Sequence, residues 1–242
     1  MSDFKLGCLP GRIPVGLKDL TYYMAGPLPK APAKVDVPSV SSWGLNGNDM
    51  YGDCGVAGIN HGFMADASIA DVTEAFPPDQ DVVGYYFEYT NGADSGVVLS
   101  DFLAYVQKKQ FFGHTISAYA PVAVHDIPTL QFAIDAYGFA YTGITVTEAM
   151  MQVVRDTAAW TWNTQDTQGP VIGGHCIPIV GYDDVALTAV TWGNLIRIRY
   201  PAWHAMSTEA WAVLTGEFVS KGGDNRGINL AALQADLGRL AA

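Results

Sequence analysis

The segment Trp43–Gly58 reads WGLNGNDMYGDCGVAG and decides the fold, because a polar, glycine-containing loop leads directly into Cys54. The residues that follow, CGVAGINHGFMADASIA, are rich in alanine and glycine and carry larger apolar residues at helical spacing. They predict a buried, closely packed helix over about 54–70, with Asp53 placed to cap it. A thiol at a helix N-terminus loses its proton more readily, because the helix dipole favours the anion. Cys54 is therefore a candidate nucleophile, although an isolated cysteine is more often a buried structural residue.

A second segment, residues 173–194, reads GGHCIPIVGYDDVALTAVTWGN. It predicts two apolar strands joined by a turn at Asp183-Asp184 and ending in Trp192. His175 lies near the start of the first strand and is a candidate general base, because an imidazole beside a thiol can take its proton. A lone histidine is more often structural, but the surrounding hairpin favours a functional position.

The two segments resemble the nucleophile region and the histidine hairpin of the papain-like cysteine peptidases. The sequence between them follows the order of that family, with an asparagine-glycine loop, an interlobe helix and a helix leading into a strand. The resemblance covers roughly residues 35–215 and implies an α+β, two-lobe papain-like fold. The Gly-Asp-Cys start, the GGH and VTWG motifs and the LQADL tail also resemble poorly characterised papain-like proteins of bacteria and their phages.

The resemblance implies roles for individual residues. Cys54 and His175 match the catalytic pair, and Asn48 stands six positions before the cysteine, where the family has a glutamine that donates to the oxyanion. Asparagine offers the same donor on a side chain one methylene shorter. Trp192 matches the tryptophan that shields the site. Val190 stands where the family has an asparagine that orients the imidazole, and valine makes no hydrogen bond.

The group that orients His175 is therefore left open. Thr191, Asp183 and a backbone carbonyl are the three alternatives. In a comparable serine system, loss of this orientation lowers the rate by about 10⁴. Asp53 adds a second departure, since a carboxylate directly before the thiol opposes thiolate formation unless it points away as a helix cap.

The chain divides into a proline-rich N-terminal arm over 1–35 and a papain-like domain over 36–242. Within the domain, the patterns predict a helical lobe at about 36–112, a β-rich lobe at about 113–220 and a C-terminal helix at about 228–241. Only this short arm precedes the domain, whereas papain-like zymogens carry a long helical propeptide. The arm is expected to lie extended on the fold.

Further elements follow from local patterns. Helices are predicted at about 80–90, at about 98–109 with Ser100 as its cap, and at 127–138. Strands are predicted in the runs ISAYAPV, FAYTGITV, HCIPIVGYD, ALTAVTWG and LIRIRYP, the last with one wet face and preceded by a turn at Gly193-Asn194. Asn229 is predicted to cap the last helix, whose leucine stripe predicts core packing or docking on another subunit.

Composition excludes several classes of function. The formal net charge is −11, and the longest basic run is Lys108-Lys109, which disfavours nucleic-acid binding because phosphate neutralisation needs clustered cations. No stretch reaches the roughly 18 apolar residues of a membrane span. Only 15% of residues are charged, so much of the surface is neutral or covered by a partner, either a second copy or a virion assembly.

The three cysteines indicate the compartment. An odd, small number predicts no disulfide framework and favours a reducing environment. With no secretion signal in the N-terminal residues, the expected location is cytoplasmic or virion-associated. Cys54, Cys176 and His175 are too few ligands for zinc, so neither a metal nor a cofactor is expected.

Two functions from different classes remain. The first is a cysteine hydrolase, a peptidase or amidase acting on a polypeptide or a peptidoglycan-like substrate through a Cys54–His175 dyad. The second is a papain-fold structural or binding protein, for example a phage virion component, with a weakened or inactive site. The valine at position 190 and the missing propeptide favour the second.

Overall fold

A computed structural model describes residues 4–73, 75–156, 160–216 and 226–240. In this part of the chain the helices are α1 (Cys54–Ile69), α2 (Asp79–Tyr89), α3 (Leu99–Lys109), α4 (Ile127–Tyr137), α5 (Glu148–Asp156), α6 (Tyr200–Met206) and α7 (Leu230–Leu240), with 3₁₀ turns at Leu20–Tyr23 and Thr164–Thr167. The strands are β1 (Ile116–Pro121), β2 (Ala140–Thr147), β3 (Thr161–Trp162), β4 (Val171–Tyr182), β5 (Ala186–Thr191), β6 (Asn194–Arg199) and β7 (Ser207–Thr215). The architecture is α+β, as predicted.

The strands form one sheet in the order β1-β7-β2-β4-β5-β6-β3, antiparallel except for the β3–β6 pair. On the central strand β2, Gly143 lies opposite Cys176 of β4 on one side and opposite Glu209 of β7 on the other. Residues paired across a sheet project from the same face. These three positions therefore form a row across one face of the sheet.

Helix α1 packs against the central strands through its glycines. A Cβ on Gly58 would lie 3.0 Å from Cys176 Sγ, and a Cβ on Gly62 would lie 2.4 Å from the ring of Phe139. The hydroxyl of Tyr141 on β2 donates to an α1 carbonyl at 2.8 Å. The prediction that this helix is buried and closely packed is confirmed, and the contact fixes its first residue against the sheet.

The predicted helix caps have different outcomes. Asp53 precedes α1, but its side chain makes no capping hydrogen bond, because its backbone (φ −96°, ψ 15°) lies outside the extended region in which caps form. The Ser100 cap is wrong, since α3 begins one residue earlier and the Ser100 hydroxyl donates to Asp101 inside the helix. Asn229 is confirmed as a cap, because its Oδ1 accepts from the backbone N–H of Ala232 at 3.1 Å.

The hairpin after β5 turns one residue earlier than predicted. Its loop is Trp192-Gly193, flanked by the paired residues Thr191 and Asn194. Trp192 has φ 43°, which is uncommon for a bulky residue and stores strain of about 1–3 kcal/mol. Strain of this kind persists only where the surroundings hold the side chain.

The sequence patterns missed α5, β3, α6 and β7. The run LIRIRYP leaves the sheet after Arg199, because Pro201 occupies the first turn of α6, where its missing N–H costs nothing. The solvent-exposed face predicted for β6 is confirmed, because Ile196 and Ile198 are buried between exposed neighbours. None of the described helices is both long and apolar enough to cross a membrane.

Candidate active site

The start of α1 brings Cys54 against the backbone of β4 at the residue after His175. Cys54 is the first residue of α1, and its Sγ accepts a hydrogen bond from the backbone N–H of Cys176 at 3.4 Å. His175 is the preceding residue on β4, and both side chains are only 1% exposed. Among the described residues no direct hydrogen bond joins the thiol to the imidazole. Cys54 and His175 are thus both buried where α1 meets β4.

Thr191 is the group that holds the His175 ring. Its Oγ1 lies 2.7 Å from Nε2, and the Trp192 ring stacks on the imidazole at 4.2 Å and 13°. Val190 is buried, and Asp183, the other side chain considered, pairs with Arg197 instead. Since a hydroxyl both donates and accepts, Thr191 orients the ring without fixing its tautomer.

The second ring nitrogen of His175 is available for chemistry. Nδ1 is buried and has no hydrogen-bond partner among the described residues. When Nε2–H donates to Thr191, Nδ1 carries a lone pair and can accept a proton. General-base catalysis requires such a free nitrogen on the base, within hydrogen-bond reach of the thiol in the reacting complex.

Asn48, the predicted oxyanion donor, is already engaged. Its Nδ2 donates to the carbonyl oxygens of Tyr51 at 3.0 Å and Lys5 at 3.3 Å. An amide nitrogen has two hydrogens, and both are used here. Asn48 can therefore donate to a reacting carbonyl only after Lys5 moves.

Residues Phe4–Gly11, called here the arm segment, cover this pocket. The Phe4 ring stacks on Trp192 at 5.0 Å and 20°, and Trp192 Nε1 donates to the Lys5 carbonyl at 3.3 Å. The Lys5 backbone N–H in turn donates to the Asn48 carbonyl at 3.0 Å. One end of the arm segment is thus bound to two predicted site residues.

The middle of the arm segment lies on the nucleophile. The backbone N–H of Gly7 is close enough to the Cys54 sulfur to favour the thiolate, while the Gly7 carbonyl accepts from the N–H of Val97 at 2.8 Å. The next N–H, that of Cys8, donates to the carbonyl of Gly174 at 3.1 Å. The arm segment is thus held by backbone hydrogen bonds to Val97 on one side and Gly174 on the other.

Solved cysteine protease structures share this architecture. Xylellain, a cysteine protease from Xylella fastidiosa, superposes with a TM-score of 0.67 and 15% identity over 88% of this chain and 97% of that one. Digestive procathepsin L 3 of Tenebrio molitor larval midgut gives 0.58 and 14% over 88% and 77%. The cysteine protease and lectin-like domains of Cwp84, a surface layer associated protein of Clostridium difficile, give 0.52 and 10% over 88% and 56%.

The fold is papain-like. At these identities the likeness concerns the fold and carries no activity to this chain. No protein-family model matches the sequence, and no curated protein matches it. The predicted papain-like architecture is confirmed, whereas the resemblance to phage-encoded proteins stays a prediction.

Burial keeps the papain-like pair neutral in this closed form. It raises the pKa of the Cys54 thiol to about 12, with the Asp53 charge adding to the rise and the N–H of Cys176 opposing it. Burial also lowers the pKa of His175 to about 3, and His61 contributes in the same direction. At neutral pH the site therefore holds a thiol and a neutral imidazole, which is an unreactive combination.

Asp53 lies buried beside the thiol. Burial raises the pKa of this carboxyl to about 8, against the opposing effect of the nearby Asn48 amide, and neither carboxylate oxygen has a hydrogen bond of ordinary geometry to the described residues. The carboxylate that was expected to point away as a cap is instead an unsatisfied group next to the nucleophile.

Cys8, Cys54 and Cys176 are all buried free thiols. No group of three or more His, Cys, Asp or Glu side chains in the described ranges is arranged to hold a metal ion.

Sequence reasoning missed two parts of the site. It left Thr191 as one of three alternatives, although its place beside Trp192 at the end of β5 is the available signal. It expected the N-terminal arm to lie on the fold but assigned it no place in the pocket. The alternating run FKLGCL, with a glycine among apolar residues, is the signal that could have indicated a strand-like segment.

Proposed function

We propose that this chain is a papain-like cysteine hydrolase held in a closed form, with Cys54 as nucleophile and His175 as base. One observation carries the proposal. The Cys54 thiol accepts a hydrogen bond from the backbone N–H of Cys176, and the preceding residue, His175, is held at Nε2 by Thr191. This arrangement supplies a nucleophile, a base and a group that orients the base.

The chemistry follows from the free nitrogen of His175. As Cys54 Sγ bonds to an amide carbonyl carbon, its proton passes to Nδ1, and the same proton leaves with the amine when the C–N bond breaks. Water then attacks the thioester, gives a proton to Nδ1, and releases the carboxylic acid and the thiol. Asn48 and the backbone N–H of Cys54 would stabilise the oxyanion in both steps.

The arm segment must leave before a substrate binds. Its Gly7 N–H lies close to the thiol, and its Lys5 carbonyl accepts from the Asn48 amide. Peptide and isopeptide bonds, including those of peptidoglycan cross-bridges, fit the proposed chemistry equally well. The closed form accounts for the high thiol pKa, since removal of the arm segment exposes Cys54 to water and to His175.

Thiol labelling tests the proposal. We expect iodoacetamide to alkylate Cys54 at neutral pH faster than a free cysteine once the arm segment is displaced by Gly7→Ala, with no labelling at this position in Cys54→Ser. His175→Ala should slow the reaction by about tenfold or more, because the thiolate is no longer stabilised by a neighbouring imidazolium. Site-resolved mass spectrometry separates Cys54 from the other thiols. Labelling no faster than that of a free thiol in the displaced protein would contradict a catalytic role.

A structural or binding role is the second candidate. It is favoured by the complete burial of the thiol and by the lack of a direct hydrogen bond between Cys54 and His175. Under this alternative the arm segment stays in place permanently. Equal, slow labelling of the intact and Gly7→Ala proteins, together with a loss of stability in His175→Ala, is the result it predicts.

A further inference from the structure

Glu209 is an acid that the proposed chemistry does not use. One carboxylate oxygen accepts from the Trp211 indole N–H at 2.7 Å, and the other is buried without a hydrogen-bond partner among the described residues. None of the ion pairs in the described part of the chain involves this side chain. An unpaired carboxylate in a partly desolvated position is unfavourable unless a ligand supplies the missing partner.

The sheet places Glu209 in the same row of paired residues as Cys176. Its row on the sheet runs from Cys176 through Gly143 to Glu209, and two strand spacings amount to about 10 Å. Gly143 has no side chain to intervene, and a Cβ there would lie 2.9 Å from the Glu209 Cγ. The carboxylate thus lies on the same face as the strand residue whose N–H holds the Cys54 thiol.

A cavity already borders this carboxylate. Its volume is about 440 Å³, and it is bounded by Gly11–Ile13 of the N-terminal arm on one side and by β7 with residues 121–124 on the other. Gly11 lies directly against the unpaired oxygen, since a Cβ on Gly11 would be 2.3 Å from Oε1. When the arm leaves, the free oxygen faces an open pocket.

Glu209 lies on the acyl side of the reaction. The leaving amine departs beside the imidazole that protonates it, and Trp192, which stacks on His175, contacts the Phe4 end of the arm segment. Glu209 contacts the opposite end, at Gly11. The pocket therefore receives a side chain from the part of the substrate that forms the thioester.

On this geometry, and resting on the proposed hydrolase function, we propose that Glu209 selects substrates with a cationic side chain, lysine or arginine, on the acyl side of the scissile bond. The ammonium or guanidinium group pairs with the free oxygen, while Trp211 holds the other. The net charge of −11 adds a long-range attraction for cationic substrates. A neutral side chain leaves the Glu209 carboxylate unpaired. An anionic side chain is repelled by it.

The test uses peptidyl acyloxymethyl ketones, in which the thiolate displaces the carboxylate leaving group. Three matched series carry lysine, norleucine or glutamate at each of the positions before the ketone. In the full chain with Gly7→Ala, we expect lysine to label Cys54 at least about tenfold faster than norleucine at one position, and glutamate to be slowest. Glu209→Gln, which can still accept from Trp211, should bring the lysine and norleucine rates together.

The outcomes separate this inference from the proposed function. Iodoacetamide has no side chain to place in the pocket and reports on the thiol alone. Fast iodoacetamide labelling with equal lysine, norleucine and glutamate rates at every position overturns the role of Glu209 and leaves the hydrolase proposal standing. Slow labelling by every reagent overturns both. A lysine preference that persists in Glu209→Gln shows that another residue selects the cation.

Discussion

At the scale of single residues, the group that holds His175 is a hydroxyl where papain-like peptidases have an amide. An amide oxygen only accepts, so it forces one tautomer on the imidazole, whereas Thr191 permits either. The hydrogen bond at 2.7 Å supplies orientation without selecting the protonation pattern. The sequence named Thr191 as one of three candidates but could not select it. Strand alternation shows which residues share a face, and not which side chain contacts another.

Thr191→Val removes the hydroxyl and keeps the shape of the side chain. In the Gly7→Ala background we expect the iodoacetamide rate of Cys54 to fall about tenfold, because a neutral hydrogen bond that positions the base is lost. Thr188→Val on the same strand is the matched control, since the Thr188 hydroxyl makes no hydrogen bond within the described residues. Identical labelling rates in the two variants would show that Thr191 does not position His175.

Asp53→Asn tests the buried carboxyl through the pH dependence of stability. The folded-state pKa of about 8 lies above the ordinary value of 3.8, so the folded protein binds this proton more tightly than the unfolded chain. The contribution of this bound proton to the free energy of unfolding is complete below about pH 4 and is lost as the pH rises to about 8.

Asparagine cannot ionise, so the free energy of unfolding of Asp53→Asn does not fall in this way as the pH rises. We expect Asp53→Asn to have a higher free energy of unfolding than the parent near pH 8, by on the order of 5 kcal/mol, and the difference to vanish below about pH 4. Melting curves across this range measure it, with the exposed Asp184→Asn as control. A constant difference at every pH would mean that the carboxyl is already ionised in the folded protein.

At the scale of elements, the arm segment is held by backbone pairing more than by side chains. Gly7 pairs with Val97 and Cys8 with Gly174, and neither partner is near in sequence. Helices α1, α2, α3 and α4 were predictable because their signals are local: apolar spacing and flanking loops. The docking of an extended segment leaves no such periodic signal, since any backbone can make those hydrogen bonds.

Gly7→Ala should release the arm segment. A Cβ at this position would lie 1.8 Å from the carbonyl oxygen of Gly52, a contact that backbone atoms cannot relieve without moving apart. We expect iodoacetamide to label Cys54 at least about tenfold faster in Gly7→Ala than in the parent protein, since exposure lowers the thiol pKa. Gly26→Ala, in the same arm with open space around it, is the control. No difference between these variants would show that the arm segment does not limit access.

At the scale of the whole molecule, the site depends on how closely α1 approaches the sheet. Cys54 belongs to the helix and His175 to β4, so the distance between them is set by the glycine contacts of α1. The order of motifs along the chain predicted this papain-like arrangement. The hydrogen bond from the Cys176 N–H to the thiol could not be predicted, because it depends on packing across the helix–sheet interface.

Gly62→Ala tests that packing. Its Cβ would lie 2.4 Å from the Phe139 ring, so we expect a loss of about 1–3 kcal/mol in the free energy of unfolding. Gly84→Ala on α2 meets nothing within 4 Å and should instead stabilise the protein by about 0.5–1 kcal/mol. Denaturant titrations of both variants measure the contrast. Equal effects of the two substitutions would contradict close packing at Gly62.

The covalent attachment of the arm segment changes how the closed state responds to concentration. Closing is an intramolecular event, governed by an effective concentration that the chain itself sets. Dilution therefore leaves the fraction of closed molecules unchanged, whereas a separate peptide carrying FKLGCL would dissociate on dilution. Any substrate must compete with a tethered occupant, so its apparent affinity is weakened by the same factor at every protein concentration.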